Sequence, residues 1–285
     1  MAASSGSMMR LDRSAGRRRA TDATANIQSS RPAMALRSVV GCTVENTNNA
    51  LSSATGLRQN ADVELGQLGA VIFDFGSTLF GHASLADTIV KATPVDAVKR
   101  LGDSMERAAR IEAMAHSPEE LALGRDLDAT VWEERTRHWY RTLDDIAPTV
   151  GDEVYRLMHA PEEWVPYASS LEVVSALHRA GVPVAVLSNT GWDIRRVFRH
   201  HGFHPFIATY ALSYEIGAVK PHAEAFRSAC RMIDADPAHT LMVGDDPRAD
   251  SGAVAAGLRA FLVPAMPIGA ENGLQSVLSL LANFS

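Results

Sequence analysis

Four short stretches of the chain carry residue types suited to chemistry. They are Asp74-Phe75-Gly76-Ser77-Thr78, Val186-Leu187-Ser188-Asn189-Thr190, Lys220-Pro221, and Gly244-Asp245-Asp246 with Asp250 just beyond. Carboxylates brought together at one place must either hold a proton or gather a cation. A hard, oxygen-liganded ion such as Mg²⁺ is the natural choice for a set made only of aspartates. Lys220 supplies a fixed positive charge able to hold a carboxylate and an anionic substrate side by side. Ser188, with the N–H groups at the start of a following helix, suits phosphate oxygens.

The elements that must position these residues are legible from hydrophobic patterning. Ala70 to Phe73 is a short continuous apolar run ending at Asp74, as expected of a strand buried on both faces of a parallel sheet. Similar runs end at Ser188 (from Val182) and at Gly244-Asp245 (from Thr240), with a weaker one from Arg259 to Val263 and a further candidate strand from Phe206 to Leu212. Helical patterns lie between them, around Leu171–Leu177, Ile194–Phe198, Ala223–Ile233 and Ala249–Ala256. Strands alternating with helices define an α/β fold with a doubly wound parallel sheet, in which ligands bind at the carboxyl ends of the strands. Residues 81–165 break the rhythm and show no good strand. Thr93-Pro94 reads as a helix start with Thr93 as cap, Ser117-Pro118-Glu119-Glu120 as a second, and Trp132, Trp139, Leu143 and Ile146 as the stripe of a third helix. The expected division is an α/β core from residues 65–80 and 166–285, interrupted by an all-helical cap at 81–165.

Composition bounds the rest. The chain has 285 residues, 46% of them apolar, and a formal net charge of −6, which gives no general attraction to nucleic acid or an anionic membrane. No apolar run approaches the roughly 18 to 20 residues of a membrane span. Cys42 and Cys230 are too few for a disulfide scaffold. A cytoplasmic protein is expected, with neither nucleic acid nor membrane as partner. Residues 1–60 hold eight arginines against three acids and few large apolar side chains, so residues 1–64 read as a disordered extension. An Arg- and Ser-rich leader of this kind also matches an organelle-targeting segment, the alternative reading.

In order and placement, the four stretches resemble the motifs of the haloacid dehalogenase superfamily of hydrolases, over about residues 68–265, and the insert is similar to the helical cap of the family's first cap class. The resemblance implies a Rossmann-like core and a nucleophilic Asp74 that forms an aspartyl-phosphate. Mg²⁺ would be held by the Asp74 carboxylate, the main-chain carbonyl of Gly76, and Asp245. It further implies phosphoryl binding by Ser188, Asn189 and Lys220, with Asp246, Asp250 and Thr78 in support. The expected substrate is a small phosphorylated metabolite. One departure bears on rate: the family's phosphatases usually carry an acid/base Asp where this chain has Gly76, and such a group is worth roughly 10²- to 10⁴-fold. His82 is the nearest substitute in sequence, although a histidine at the start of the cap linker reads more readily as an exposed one. The alternatives are a weakly active or inactive relative that binds a phosphorylated ligand or a protein, and other chemistry of the family such as dehalogenation or phosphonate cleavage. Trp132, Trp139 and Tyr140, at helical spacing, are expected in the cap core, and Trp192 is expected to face the cleft.

Overall fold

The structure is a computed structural model that describes residues 68–282, so the expectations for residues 1–64 fall outside it. Its strands are β1 (Ala70–Phe73), β2 (Phe80–His82), β3 (Trp164–Pro166), β4 (Val184–Ser188), β5 (Thr209–Leu212), β6 (Thr240–Gly244) and β7 (Arg259–Leu262). Five of them form one parallel sheet in the order β5-β4-β1-β6-β7. Every residue of β1, β4 and β6 is buried, as continuous apolar runs covered on both faces should be.

Alternation along β1 sends its side chains to two cores. Val71 and Phe73 pack with Val173, Leu177, Phe198 and Val277, under the helices Ser170–Arg179, Arg195–His200 and Ser276–Ala282. Ile72 packs on the opposite face with Leu187, Phe226, Met242 and Ala253, under the helices Ala223–Met232 and Gly252–Ala255. The chain runs outward from β4 to β5 on one side of β1 and from β6 to β7 on the other. The strand order therefore reverses around β1, and the carboxyl ends of β1, β4 and β6 border one crevice.

Between β2 and β3 the chain is helical. Its main helices, Leu85–Ala92, Ser104–Ala115, Ala129–Tyr140 and Val150–Met158, enclose an apolar cluster of their own that includes Ile89, Ile111, Trp139, Leu143 and Val154. Three of these starts are fixed by side-chain oxygens, Ser84, Asp103 and Asp128 each accepting a backbone N–H of the first turn, and Ser117 does the same for the short helix Pro118–Ala122. Three local expectations are corrected. Thr93 closes a helix instead of opening one, because its hydroxyl donates to the Ile89 carbonyl at 2.7 Å. The third helix ends at Tyr140, which leaves Leu143 and Ile146 in the turns beyond it. Residues 81–165 also contribute to a small antiparallel ladder, β2 with β3, in which His82 faces Trp164. Strands of three residues are too short for a periodic signal.

Candidate active site

Asp74 leaves the carboxyl end of β1 with its N–H donated to the Val243 carbonyl of β6 at 2.8 Å, which holds it between the two strands. Lys220 reaches it from the loop before the Ala223–Met232 helix. Its Nζ donates to Asp74 Oδ1 and to Asp250 Oδ1, both at 2.6 Å, and only 4% of its side chain is exposed, against 13% for Asp74 and 1% for Asp250. Burial alone lowers the lysine's pKa, but the two carboxylates outweigh it and the net shift is upward, so Lys220 is charged. Burial dominates at Asp74 and, with Lys220 opposing it, leaves the carboxyl raised to about 6. Burial likewise raises Asp245, which accepts the Thr78 hydroxyl at 3.1 Å.

The turn after Asp74 brings Thr78 to Asp245. Ser77 adopts a left-handed φ of 57° and donates its N–H to the Phe80 carbonyl, folding the chain back on itself. Gly244 meets a separate demand for space: a Cβ there would fall on the Asp250 carboxylate, whose Oδ2 accepts the Asp246 N–H at 3.0 Å. Asp74, Asp245 and Asp250 can each place one oxygen within 4.8 Å of the others. That donor set, all hard oxygen, fits a Mg²⁺ ion, and the charges point the same way, since three carboxylates face one lysine.

Not every residue grouped by the sequence has the same part in this geometry. Asn189 spends its side chain on the Lys220 backbone, donating to the carbonyl at 2.9 Å and accepting the N–H at 2.8 Å. It therefore positions the lysine through both ends of its amide. Asp246 lies 44% exposed with its carboxylate on the N–H and side chain of Arg248, so of the two late acids it is Asp250 that orients Lys220. Ser188, at the end of β4, is buried and lines the cavity beside Asp74.

The cavity above these groups has a volume of about 540 Å³ and lies between the strand ends and the helical segment. All four tryptophans of the chain, Trp132, Trp139, Trp164 and Trp192, line it. Trp139 and Tyr140 belong to the apolar cluster of the helices as expected, yet also form cavity wall. Phe75 packs against Trp164 with ring centres 4.4 Å apart and planes tilted by 37°, and extends the aromatic surface down to Asp74. His82 is not part of this wall: its ring nitrogens lie 2.8 Å and 3.3 Å from the Ala83 and Leu157 carbonyls. A histidine that sequence reasoning passed over, His159, is there instead. Its Nδ1 lies 2.7 Å from the Tyr155 carbonyl and must carry the proton, so Nε2 is the acceptor facing Trp132 Nε1 at 3.4 Å. Burial lowers its pKa to about 4, so the ring is neutral. Arg125 is a further wall residue without a sequence signal, since its neighbours are set by tertiary packing.

Among the contacts that join the helical segment to the strand ends, two are close. Trp132 packs directly against Gly191, where any Cβ would overlap its side chain. The Ser213 hydroxyl, which accepts the Thr190 N–H at 2.9 Å, also lies 2.5 Å from the Asp126 carbonyl.

Fold and site together define a doubly wound α/β protein with an aspartate, paired to a buried lysine, at the carboxyl end of its central strand. A family model of haloacid dehalogenase-like hydrolases matches residues 68–257, and the chain belongs to that family. Solved structures with the same fold include the HAD phosphatase of Thermococcus onnurineus, at 17% identity and a TM-score of 0.51, covering 74% of this chain and 97% of that one. A 2-haloacid dehalogenase of Pseudomonas syringae pv. tomato is similar at 19% identity and a TM-score of 0.53, covering 77% and 100%. The L-2-haloacid dehalogenase of Xanthobacter autotrophicus, with chloropropionic acid covalently bound, is similar at 21% identity and a TM-score of 0.54, covering 70% and 79%. At these identities the likeness is one of fold. No curated protein matches the sequence. Among the described residues, no helix is long and apolar enough to cross a membrane.

Proposed function

We propose that this chain is a Mg²⁺-dependent phosphatase that hydrolyses a small phosphate ester through a phosphoryl group carried on Asp74. The observation that carries the reading is the charge at the strand ends: Asp74, Asp245 and Asp250 converge within 4.8 Å, and Lys220 balances only one of the three. A catalyst working by aspartate alone gains nothing from Asp245, whose charge opposes that of Asp74.

Mg²⁺, held by the Asp74 and Asp245 carboxylates and the Gly76 carbonyl, would supply positive charge to the phosphoryl oxygens. Asp74 attacks phosphorus in line through its free carboxylate oxygen, forming the O–P bond as the ester O–P bond breaks. Lys220 stays charged beside the attacking carboxylate, and the Ser188 hydroxyl offers a hydrogen bond to the transferring group. The departing alkoxide takes its proton from water, because Gly76 has no side chain to give one and the proton of His159 is committed to the Tyr155 carbonyl. Water then cleaves the acyl phosphate, releasing inorganic phosphate and restoring Asp74.

The test is phosphate release from p-nitrophenyl phosphate and a panel of small phosphate esters, with Mg²⁺ and with excess chelator, for the wild type and Asp74→Asn. Metal-dependent release, lost in the variant while its circular dichroism is retained, is the expected result. Release that persists in Asp74→Asn overturns the nucleophile, and release unaffected by chelator overturns the metal. A second reading rests on the aromatic wall of Phe75, Trp164 and Trp192 beside Asp74, which also suits carbon–halogen cleavage of an apolar acid. Halide release from 2-chloropropionate in chelator, without phosphate release from any ester, would favour it.

A further inference from the structure

The upper end of the cavity is polar in a way that attack at phosphorus does not use. Arg125, in the turn Arg125–Leu127, lines it with 12% of its side chain exposed. The guanidinium carbon lies over the Trp139 ring at 4.9 Å and 5.7 Å from the centre of Trp132. Among the described residues its one ionic partner is its chain neighbour Asp126, at 3.3 Å, which is not among the residues lining the cavity. That approach is not aligned as a hydrogen bond, so Arg125 Nε and Asp126 Oδ1 are both buried without one. Thr136, 3% exposed and also lining the cavity, has a buried hydroxyl with no partner among the described residues. Buried polar groups are rarely left unpaired in a folded protein, and here three donors that lack a partner among the described residues, Arg125 Nε, the Thr136 hydroxyl and Trp139 Nε1, belong to residues of one cavity wall.

We propose that this end of the cavity is a carboxylate subsite anchored by Arg125, and that the substrate is an aromatic or similarly flat apolar molecule bearing a carboxylate remote from its reacting group. A planar guanidinium presents paired N–H donors that match the two oxygens of a carboxylate, and cation–π contact with two indoles helps hold it in place. The Thr136 hydroxyl is a further donor for a ligand oxygen. Between Arg125 and Asp74 the wall is largely aromatic and apolar, which suits a flat hydrophobic body and strengthens a charge pair made inside it. Glu112 and His116 belong to the same wall, and Glu112 stands exposed on its helix, where solvent screens its charge. That the reacting group is a phosphate ester rests on the proposed phosphatase reading; the carboxylate end does not.

The test uses the full chain and its own tryptophans, since all four line the cavity. Benzoate and its uncharged counterpart benzamide are titrated against intrinsic fluorescence. The wild type is expected to bind benzoate at least tenfold more tightly. Arg125→Gln should abolish that preference, Arg125→Lys should keep part of it, and Thr136→Val should weaken benzoate several-fold. Equal binding of the two ligands by the wild type, or a preference that survives Arg125→Gln, overturns the subsite. In turnover, the ratio of kcat/KM for 4-carboxyphenyl phosphate to that for phenyl phosphate should fall about tenfold in Arg125→Gln. If no ester is hydrolysed the phosphatase reading fails, while the benzoate titration still decides the subsite. The Arg125→Lys and Thr136→Val variants decide it should Arg125→Gln not fold.

Discussion

A Cβ built on Gly76 would meet only the edge of the Trp164 indole, 3.9 Å away, and Gly76 does not have the positive φ that would penalise a side chain. There is thus room beside Asp74 for a carboxyl group able to protonate a leaving alcohol. Gly76→Asp is expected to raise kcat on alkyl phosphates by about 10²-fold, the lower end of what an acid/base group contributes. Esters with good leaving groups, such as p-nitrophenyl phosphate, should respond less because their departure needs no proton; equal gains on both would mean the new carboxyl acts in another way. His159 carries a prediction about stability. Its pKa is depressed to about 4 by burial, so below the ordinary value of 6.5 the unfolded chain takes up a proton that the folded one refuses. The contribution is therefore intact above that value and lost as pH falls toward 4, amounting to about 2 kcal/mol by pH 5. Denaturant unfolding at pH 7.5 and 5.0 should show a smaller loss in His159→Asn, which keeps a donor for the Tyr155 carbonyl; the same loss in both proteins would remove His159 as the cause.

At the scale of elements, the question is what seats the helical segment on the strand ends. Gly191 follows the β4 loop, and its missing side chain is the space that Trp132 of the Ala129–Tyr140 helix occupies. Gly191→Ala should force that helix to shift, costing about 1–3 kcal/mol as overpacking does and raising KM by opening the cavity. Trp132→Ala in the same chain should relieve part of the loss, so a double-mutant cycle of Tm and KM should show coupling, whereas additive effects would place the strain elsewhere. Gly191 and Trp132 are 59 positions apart, and neither spacing nor residue type announces their contact. The buried strands announced themselves because a parallel sheet covered on both faces needs unbroken apolar runs, and Asp74, Ser188 and Asp245 stood out at the ends of those runs. The ladder of β2 and β3, the closing role of Thr93 and the cavity positions of His159 and Arg125 gave no such signal. Each depends on which surfaces meet after folding. Asn189 was legible as part of a motif, but its hydrogen bonds to the Lys220 backbone belong to the packed loop and not to the motif.

For the whole molecule, the acidic crevice is where the two halves of the sheet are tied together, since Asp74 ends β1 while Asp245 and Asp250 follow β6. The Thr78–Asp245 hydrogen bond and the Lys220 ion pairs cross the same gap, so a cation bound there bridges segments separated by more than 160 residues. Such a site exists only in the folded chain, and binding must therefore stabilise the fold by mass action. At a free Mg²⁺ concentration a hundredfold above Kd the gain is about 2.7 kcal/mol. For a folded unit of this size that corresponds to a rise in Tm of roughly 5–10 °C. Differential scanning calorimetry of chelator-treated protein, with and without added Mg²⁺, measures it directly and needs no substrate. Asp245→Asn should lose most of the shift, because it removes a ligand while leaving the Lys220 pairs in place. The same variant should be no less stable than the wild type in chelator, since it removes a charge that burial and neighbouring carboxylates oppose. A wild-type Tm that does not respond to Mg²⁺, or a shift that survives in Asp245→Asn, would mean that the surplus negative charge is met by protons and not by a metal ion.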